Sequence, residues 1–303
     1  MNDEARALGL ESEIARGGVD CVGDWRDVWR ANLWLRGASR VLLRVAEFRA
    51  MHLAQLDKRA RKIDWAKTLA PNVPVKVEAT SRRSKIYHSG ASTERIENAI
   101  RDTVGAPISP DAQVRVVARI EDDLCTISVD TSGDPLYKRG YKLEVGKAPL
   151  RENLAAMFLY HCGYRGEESV VDPMCGSGTL VIEAAQIARH IAPGRARTFA
   201  FESLPSFDRD GWRALCDEAD ARTSEGGVYY GSDRDAGAVT MSRSNAKRAQ
   251  VDGVTRFAKH AVSDLQPPPG PPGLVITNPP YGARIGATKD LRDLYATVGN
   301  VLK

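Results

Sequence analysis

Two short motifs constrain the fold of this chain more than any other feature of its sequence. The first, DPMCGSG at residues 172–178, follows the apolar pair 170–171 and precedes a run with apolar positions at helical spacing. The second, NPPY at residues 278–281, comes 106 residues later and follows the apolar run 273–277. Motifs placed directly after buried strands are typical of ligand sites at the carboxyl edge of an open α/β sheet. The sequence therefore predicts an α/β fold with a ligand site formed at that edge.

The first motif has the composition of a turn that wraps a nucleotide-like cofactor. Its glycines, Gly176 and Gly178, allow a sharp turn and a close approach of the ligand to the backbone. A dinucleotide fingerprint would place a third glycine at position 181, where this chain has Val181, so NAD and FAD are disfavoured. S-adenosylmethionine, which has no pyrophosphate, is the alternative. The predicted cofactor-binding residues of the turn are Asp172, Met174, Gly176, Ser177, Gly178 and Thr179, and Asn278 of the second motif is also assigned to the cofactor site.

Two further carboxylates follow predicted strands. Asp233 ends the strand at 228–233, where an acid can accept both ribose hydroxyl protons. It stands 61 residues after Asp172, far beyond the roughly 20 residues of a minimal βαβ unit, so residues 191–226 are predicted to be an inserted surface loop and helix. Asp264 follows a third strand at 256–262 and is predicted to meet the adenine amino group. A single aspartate of this kind is more typical of a helix cap or a solvated loop charge, but the placement of both at successive strand ends favours the cofactor.

The NPPY motif can hold and orient an unreactive amine. The lone pair of an exocyclic base nitrogen is delocalised into the ring. The side-chain oxygen of Asn278 and the carbonyl of Pro279 can accept its two N–H bonds, so that positioning and charge stabilisation carry the catalysis. Pro280 stiffens the segment, and Tyr281 offers a face on which an extruded base can stack. The alternative is an ordinary proline-rich turn after a strand.

These motifs resemble class I S-adenosylmethionine-dependent N-methyltransferases. More specifically, the chain resembles the THUMP-containing RNA guanine-N2 methyltransferases of bacteria and archaea, including the large-subunit rRNA enzymes. The NPPY motif is shared with DNA adenine and protein glutamine methyltransferases, so the likeness of the amino-terminal half supports the RNA assignment. The resemblance also implies that Arg151 closes over the amino-acid end of the cofactor. The remaining matching segments are residues 17–19, 31–36, 39–44, 134–141 and 148–155.

The resemblance and the element pattern together predict four segments. Residues 1–50 form a ferredoxin-like region, 51–130 a THUMP-like RNA-binding region, 131–150 a connector and 151–303 a Rossmann-like methyltransferase domain. The chain ends one helix after the NPPY strand, so this domain is predicted to be truncated at its C-terminal strands. Either the sequence is a fragment or a separate polypeptide completes the sheet.

Positive charge is concentrated in one segment. The chain has a net charge of +4, whereas residues 40–101 alone carry 14 Lys and Arg against 6 Asp and Glu. Such an excess suits phosphate contacts, although a solvated charged face is the common alternative. No aromatic residues are interleaved with the charges, so recognition of RNA shape and backbone is favoured over base readout. The predicted RNA-binding residues are Lys58, Arg59, Arg61, Lys62, Arg82, Arg83, Lys85, Lys138 and Arg139.

The sequence thus predicts a cytoplasmic RNA methyltransferase that uses S-adenosylmethionine. Its five cysteines have no zinc-ligand spacing, its histidines are scattered singly, and no apolar run is long enough to cross a bilayer, so neither a metal nor a membrane is expected. Guanine N2 of large-subunit rRNA is the first choice of substrate. The alternatives are guanine N2 of tRNA, adenine N6 of DNA, and a non-catalytic RNA-binding assembly factor that keeps a vestigial cofactor fold.

Overall fold

The computed structural model describes residues 1–145, 149–280 and 288–303. The chain forms two compact units. The amino-terminal unit contains residues 1–136 and 197–216, and the carboxyl-terminal unit contains residues 137–196 and 217–303. Residues 197–216, which lie within the predicted segment 151–303, thus cluster with the amino-terminal part of the chain.

The amino-terminal unit opens with a helix, a hairpin and a second helix. These are α1 (Asn2–Ala7), β1 (Glu11–Ala15), β2 (Gly18–Val22) and α2 (Trp25–Trp34), and the two strands pair antiparallel. Asp24 caps α2: its side chain accepts the Asp27 N–H, and the Asp27 carboxylate accepts the Asp24 N–H in return. This reciprocal pair satisfies two backbone donors and fixes where the helix begins.

A four-stranded sheet forms the second layer of this unit. Its strands are β3 (Leu42–Arg49), β4 (Val75–Arg82), β5 (Val114–Glu121) and β6 (Leu124–Asp130), in the order β3-β6-β5-β4. Only β4 and β5 run parallel. Alternate residues of β5, from Val114 to Ile120, are buried on one face, as the period of two requires. The helices α3 (Leu53–Ala60) and α4 (Ser89–Val104) contribute fully buried Leu56, Ile96 and Ile100 to the core.

The prediction of a surface loop over residues 191–226 needs correction. The helix exists, as α7 (Arg209–Ala221), but the residues before it are buried: Phe199 is 4% exposed and Phe201 is fully buried. The Phe201 ring lies 6.2 Å from the ring of Trp29 on α2 and 5.0 Å from that of Trp212. The proline and glycine residues of this segment indicated a loop, but its aromatic side chains carry enough apolar surface to anchor it in the core.

The carboxyl-terminal unit is an α/β layer with a parallel sheet, which confirms the predicted fold class. The strands β7 (Val170–Asp172), β8 (Tyr229–Asp233), β9 (Thr255–Lys259) and β10 (Leu274–Val275) are arranged in the order β10-β7-β8-β9, with every pair parallel. The helices are α5 (Glu152–His161), α6 (Thr179–Ala188), α8 (Ala236–Arg248) and α9 (Thr288–Val301). All ten residues of α6 are buried, so this helix forms the centre of the unit. Among the described residues, no helix has the length and apolar composition needed to cross a bilayer.

Two strands are shorter than the sequence predicted. β9 ends at Lys259, and Asp264 lies in a separate 3₁₀ turn, Val262–Asp264. The apolar run at 273–277 contains only a two-residue strand, although the Ile276 N–H continues the ladder by donating to Val171 O at 3.0 Å.

Candidate active site

The DPMCGSG motif forms the turn between β7 and α6. Gly176 has φ +54° and Gly178 has φ +82°, both in the left-handed region that favours glycine. A Cβ on Gly178 would lie 3.1 Å from Ser242 Cβ and 3.2 Å from Phe257 Cε1, whereas a Cβ on Gly176 would meet no atom of another described residue within 4 Å. Packing and backbone conformation therefore both require glycine at position 178. At position 176 only the backbone requires it, and no described residue fills the space in front of Gly176.

Two buried polar residues of α8 support this turn from behind. Ser242 donates its hydroxyl to Gly176 O at 2.8 Å, and Asn245 donates its side-chain amide to Ser177 O at 3.1 Å. Both side chains are fully buried on the face of α8 that also carries Ala238 and Val239. Neither residue was predicted to belong to the site, although polar residues at the apolar positions of an amphipathic helix are a usable signal.

The other residues of the turn are held in place by contacts within the turn and with β8. Ser177 and Thr179 are buried, with their hydroxyl oxygens 3.5 Å apart, and Met174 is half-buried. Cys175 is buried, and its N–H donates to Ser232 O at 2.9 Å on β8. Burial raises the pKa of the Cys175 thiol, so this residue acts as a small packing group.

Asp172 lies at the end of β7 with an exposed fraction of only 2%. Its Oδ1 accepts the Met174 N–H at 3.1 Å, which shapes the first part of the turn. Burial raises the pKa of Asp172 to about 7, and the charge of Asp233 adds to that rise. The Met174 N–H and the nearby Thr277 hydroxyl oppose it. The Thr277 hydroxyl is itself buried and has no partner at hydrogen-bonding geometry within the described residues. The contacts around Asp172 therefore replace only part of the hydration that its carboxylate loses on burial.

Asp233 joins the end of β8 to the glycine turn. Its Oδ2 accepts the Gly176 N–H at 3.0 Å, and its Oδ1 accepts the Asp235 N–H at 2.9 Å. The side chain is half-buried, and each carboxylate oxygen retains acceptor capacity beyond these bonds. The structure thus brings together the predicted residues Asp172, Gly176 and Asp233. Asp264 is exposed in its 3₁₀ turn, where it accepts the Ser263 hydroxyl at 3.1 Å.

The NPPY segment continues from β10 at the same edge of the sheet. β10 pairs in parallel with β7, so the residues that follow both strands emerge at the carboxyl edge. Asn278 is exposed, and Pro279 and Pro280 are half-buried. The Pro280 carbonyl accepts the hydroxyl of Tyr295 at 3.1 Å. Tyr295 lies on α9 and was not among the residues predicted from the sequence. Tyr281 lies outside the described residues, so its stacking role stays a prediction.

Arg151 precedes α5, where it is exposed with its guanidinium 5.0 Å from the centre of the Tyr137 ring. This is the distance of a cation–π contact, which restrains the side chain while leaving its charge available. Lys142 donates to Leu150 O and lies 3.9 Å from Glu152 Oε2, so the connector is tied to the start of α5.

One predicted RNA contact is corrected by the structure. Arg139 is 2% exposed, and its Nε lies 3.4 Å from Oε1 of Glu183 on α6, which also accepts the Tyr141 hydroxyl at 3.2 Å. Glu183 is fully buried, and a buried carboxylate requires a charged or hydrogen-bonding partner. Arg139 therefore serves the core of this unit and is not accessible to an RNA phosphate. Lys138, one residue earlier, is exposed.

The other predicted RNA-binding residues are exposed, but two of them already form ion pairs with carboxylates. Arg61 pairs with Asp57 at 2.9 Å and Asp102 at 2.6 Å, and Arg83 pairs with Glu121 at 2.8 Å and Asp122 at 3.0 Å. These two charges are already balanced by carboxylates of the same unit. The remaining exposed cations of the set are Lys58, Arg59, Lys62, Arg82, Lys85 and Lys138. Within the described residues, no group of three His, Cys, Asp or Glu side chains is placed to hold a metal ion.

Comparison with known families gives three consecutive matches. Residues 139–303 match the family described as UPF0020, RMKL-like, methyltransferase domain. Residues 1–42 match the RlmL ferredoxin-like domain, and residues 50–130 match the THUMP domain. These matches confirm the resemblance that the sequence motifs indicated.

Individual relatives agree with the family matches. The chain is 39% identical over 324 residues to a ribosomal RNA large subunit methyltransferase K/L from Syntrophotalea carbinolica, with 100% of this chain and 45% of that protein covered. A solved structure of a predicted N6-adenine-specific DNA methylase from Listeria monocytogenes is similar with a TM-score of 0.92 and 31% identity, covering 99% of this chain and 81% of that one. A putative methyltransferase complexed with SAH has a TM-score of 0.90 and 30% identity, with 99% and 82% covered.

The chain thus spans less than half the length of the K/L relative. That relative carries its additional length within one polypeptide. The separate polypeptide predicted to complete the sheet has no support in these comparisons, and we do not retain it.

Proposed function

We propose, on the premise that this chain belongs to the RMKL-like methyltransferase family, that it transfers a methyl group from S-adenosylmethionine to an exocyclic amine of an RNA base. The observation that carries the proposal is the parallel pairing of β7 with β10, because it directs the glycine turn and the NPPY segment to one edge of the sheet. The THUMP match at residues 50–130 and the rRNA methyltransferase relative support RNA as the substrate class.

The residues at the sheet edge fit S-adenosylmethionine. No side chain of the described part of the chain fills the space in front of Gly176, and Asp233 beside it keeps acceptor capacity for ribose hydroxyls. Val181, fully buried where a dinucleotide fold has glycine, argues against a pyrophosphate-containing cofactor. When bound, the cofactor supplies an electrophilic methyl group on a sulfonium. Asp264 is proposed to meet the adenine amine, and Arg151 to close over the amino-acid end.

Asn278 is proposed to hold the target amine. Its exposed side-chain oxygen and the Pro279 carbonyl would accept the two N–H bonds, which leaves the nitrogen lone pair directed away from the protein acceptors. The carbonyl of Pro280 already accepts the Tyr295 hydroxyl, so this bond restrains the segment and leaves the two preceding groups to bind the amine. Such binding holds the amine in one orientation relative to the cofactor methyl group. Orientation of this kind is the main contribution that Asn278 and Pro279 can make to the rate.

Guanine N2 in large-subunit rRNA is our specific proposal for the substrate. Adenine N6 is the second candidate, since a similar solved structure carries the name of an adenine-specific DNA methylase. Mass spectrometry of nucleosides, after incubation of the chain with S-adenosylmethionine and RNA or DNA, separates these cases. N2-methylguanosine supports the proposal, and N6-methyladenine in DNA supports the second candidate. RNA and cofactor binding without any methylation would indicate a non-catalytic RNA-binding protein. Residence in the cytoplasm stays a prediction.

Replacing Asp233 with alanine should weaken binding of S-adenosylhomocysteine by about 1–3 kcal/mol, because the ribose hydroxyls would lose their acceptor. Isothermal titration calorimetry measures this directly. Asp233→Asn, which keeps the shape and one acceptor oxygen, should lose less, and Asp252→Ala, in an exposed turn of the same unit, should change nothing. Tight NADH binding without a response to either sulfur compound would overturn the cofactor assignment.

A further inference from the structure

A cavity of about 430 Å³ opens in the amino-terminal unit beside β3, which is an edge strand of its sheet. One wall is formed by residues 43–46 of β3, and the other by residues of the segment 59–68, from the end of α3 onward. β3 bulges within the first wall: Arg44 is opposite Ser128 and Ala46 is opposite Ile127, which leaves Val45 as an extra residue. Bulges on edge strands change the direction of side chains and are enriched beside binding sites.

The floor of the cavity is aliphatic. It is formed by half-buried side chains, namely Leu43, Val45, Ala46 and Ile63. The volume falls within the roughly 300–1,000 Å³ of pockets that enclose small ligands. A concave apolar site of this size can accept a single base, whereas a duplex presents only its backbone and cannot enter.

The rim of the cavity is positively charged. Four cations and one carboxylate line it, and two of the cations already have partners: Arg44 lies 2.9 Å from Asp20, and Lys67 lies 3.2 Å from Asp64. Arg59 and Lys62 are exposed and form no ion pair with any other described residue. The Arg59 guanidinium lies 5.8 Å from the centre of the Phe48 ring on β3, which holds it beside the strand.

Two uncompensated cations above an aliphatic floor match one particular ligand chemistry. A phosphodiester accepts hydrogen bonds from both a guanidinium and an ammonium, and the attached base has an apolar face. An acidic peptide would use the charges but would bring no flat ring for the floor. A free nucleotide would offer the same phosphate and base. It has no neighbouring phosphate that could contact Lys58, which is exposed on α3 beside Arg59.

We propose that this cavity binds one unpaired nucleotide of a single-stranded RNA segment, with Arg59 and Lys62 on its phosphate and the aliphatic floor beneath its base. The inference rests on the proposed function in taking RNA as the substrate. It goes further by assigning a base-accepting site outside the carboxyl-terminal unit, where the sequence predicted only shape and backbone recognition.

The first test is photocrosslinking of the full chain to a single-stranded RNA hexamer that contains 4-thiouridine. Crosslinked peptides identified by mass spectrometry should include residues 43–46 or 62–68. Crosslinks found exclusively elsewhere in the chain would overturn the proposal.

The second test compares hexamer affinities by fluorescence anisotropy. Arg59→Gln combined with Lys62→Gln should weaken binding about tenfold at physiological salt and reduce the slope of log affinity against log salt by about 1.4, as expected for two single-strand phosphate contacts. Arg95→Gln with Arg101→Gln removes the same charge from exposed positions of α4 outside the cavity and should have a clearly smaller effect on both quantities.

A cavity-filling variant separates the base from the charge. Ala46→Phe retains every cation but occupies the floor, so it should weaken binding about tenfold while leaving the salt slope unchanged. Thermal unfolding of each variant checks that it folds. A variant that does not fold is replaced by Val45→Trp, with the same expectation.

The outcomes distinguish this inference from the proposed function. If wild-type and cavity variants bind and methylate RNA equally well, the cavity proposal fails and the function stands. If the wild type binds no RNA at all, the proposed function fails as well. A nucleoside monophosphate that binds as tightly as the hexamer, or polyglutamate that displaces the hexamer more readily than RNA does, would also overturn the proposal in favour of a free nucleotide or an acidic peptide.

Discussion

Replacing Asn278 with alanine should lower the single-turnover rate of methyl transfer by roughly 10²–10³, because one aligned acceptor is lost from the amine site. The affinity for S-adenosylhomocysteine should stay nearly unchanged. The reason lies in the arrangement at the sheet edge: most of the proposed cofactor residues lie at the ends of β7 and β8, whereas Asn278 follows β10. Rapid-quench measurement with a saturating concentration of cofactor gives the rate, and calorimetry gives the affinity.

Two further variants make this result specific. Asn278→Gln keeps the amide but displaces it by one methylene, so its rate should fall between those of the wild type and the alanine variant. Asn72→Ala, in an exposed turn of the amino-terminal unit, should have the wild-type rate. An undiminished rate for Asn278→Ala would show that this side chain has only a structural role.

Replacing Asp172 with asparagine should change how the stability of the cofactor-free protein depends on pH. In the folded state, burial raises the pKa of Asp172 from 3.8 to about 7. Between those values Asp172 is protonated more often in the folded state than in the unfolded state, so its contribution to the free energy of unfolding falls as the pH rises from about 4 to about 7. A shift of about three pKa units corresponds to at most ~4 kcal/mol.

Asparagine removes this titration while keeping an acceptor for the Met174 N–H, so Asp172→Asn should be more stable than the wild type at pH 8 and show a flatter dependence between pH 4 and 7. Denaturant midpoints across this range measure the effect. Asp252→Asn, at an exposed turn, serves as the matched control. Identical curves for wild type and Asp172→Asn would mean that Asp172 ionises as an ordinary aspartate.

Burial of Asp172 also indicates what this residue does. An exposed carboxylate at this position would keep its charge without cost, but Asp172 is held behind the turn at 2% exposure. We therefore propose that Asp172 contributes to cofactor binding by shaping the backbone at Met174, and that Asp233 offers acceptors to the ligand.

The sequence by itself determined the elements that depend on neighbouring residues. Gly176 and Gly178 specified the turn because their backbone angles are accessible to glycine, and the apolar runs specified β7 and α6 because the helical and strand periods are local properties. The succession of strands, each followed by a polar residue, was enough to predict which edge of the sheet bears the site. Family resemblance, which rests on amino-terminal segments as well as on these motifs, then predicted the THUMP region.

Only the tertiary structure decided which side chains meet across long separations. Arg139 and Glu183 are 44 residues apart, so a basic residue in a basic connector resembled a phosphate contact until its buried partner was located. Phe201 meets Trp29, and Asn245 meets Ser177, for the same reason. The charge and polarity of a residue can be read from its own position in the sequence. Whether that residue loses water on folding, and so requires a partner, depends on packing against residues that are distant in the chain.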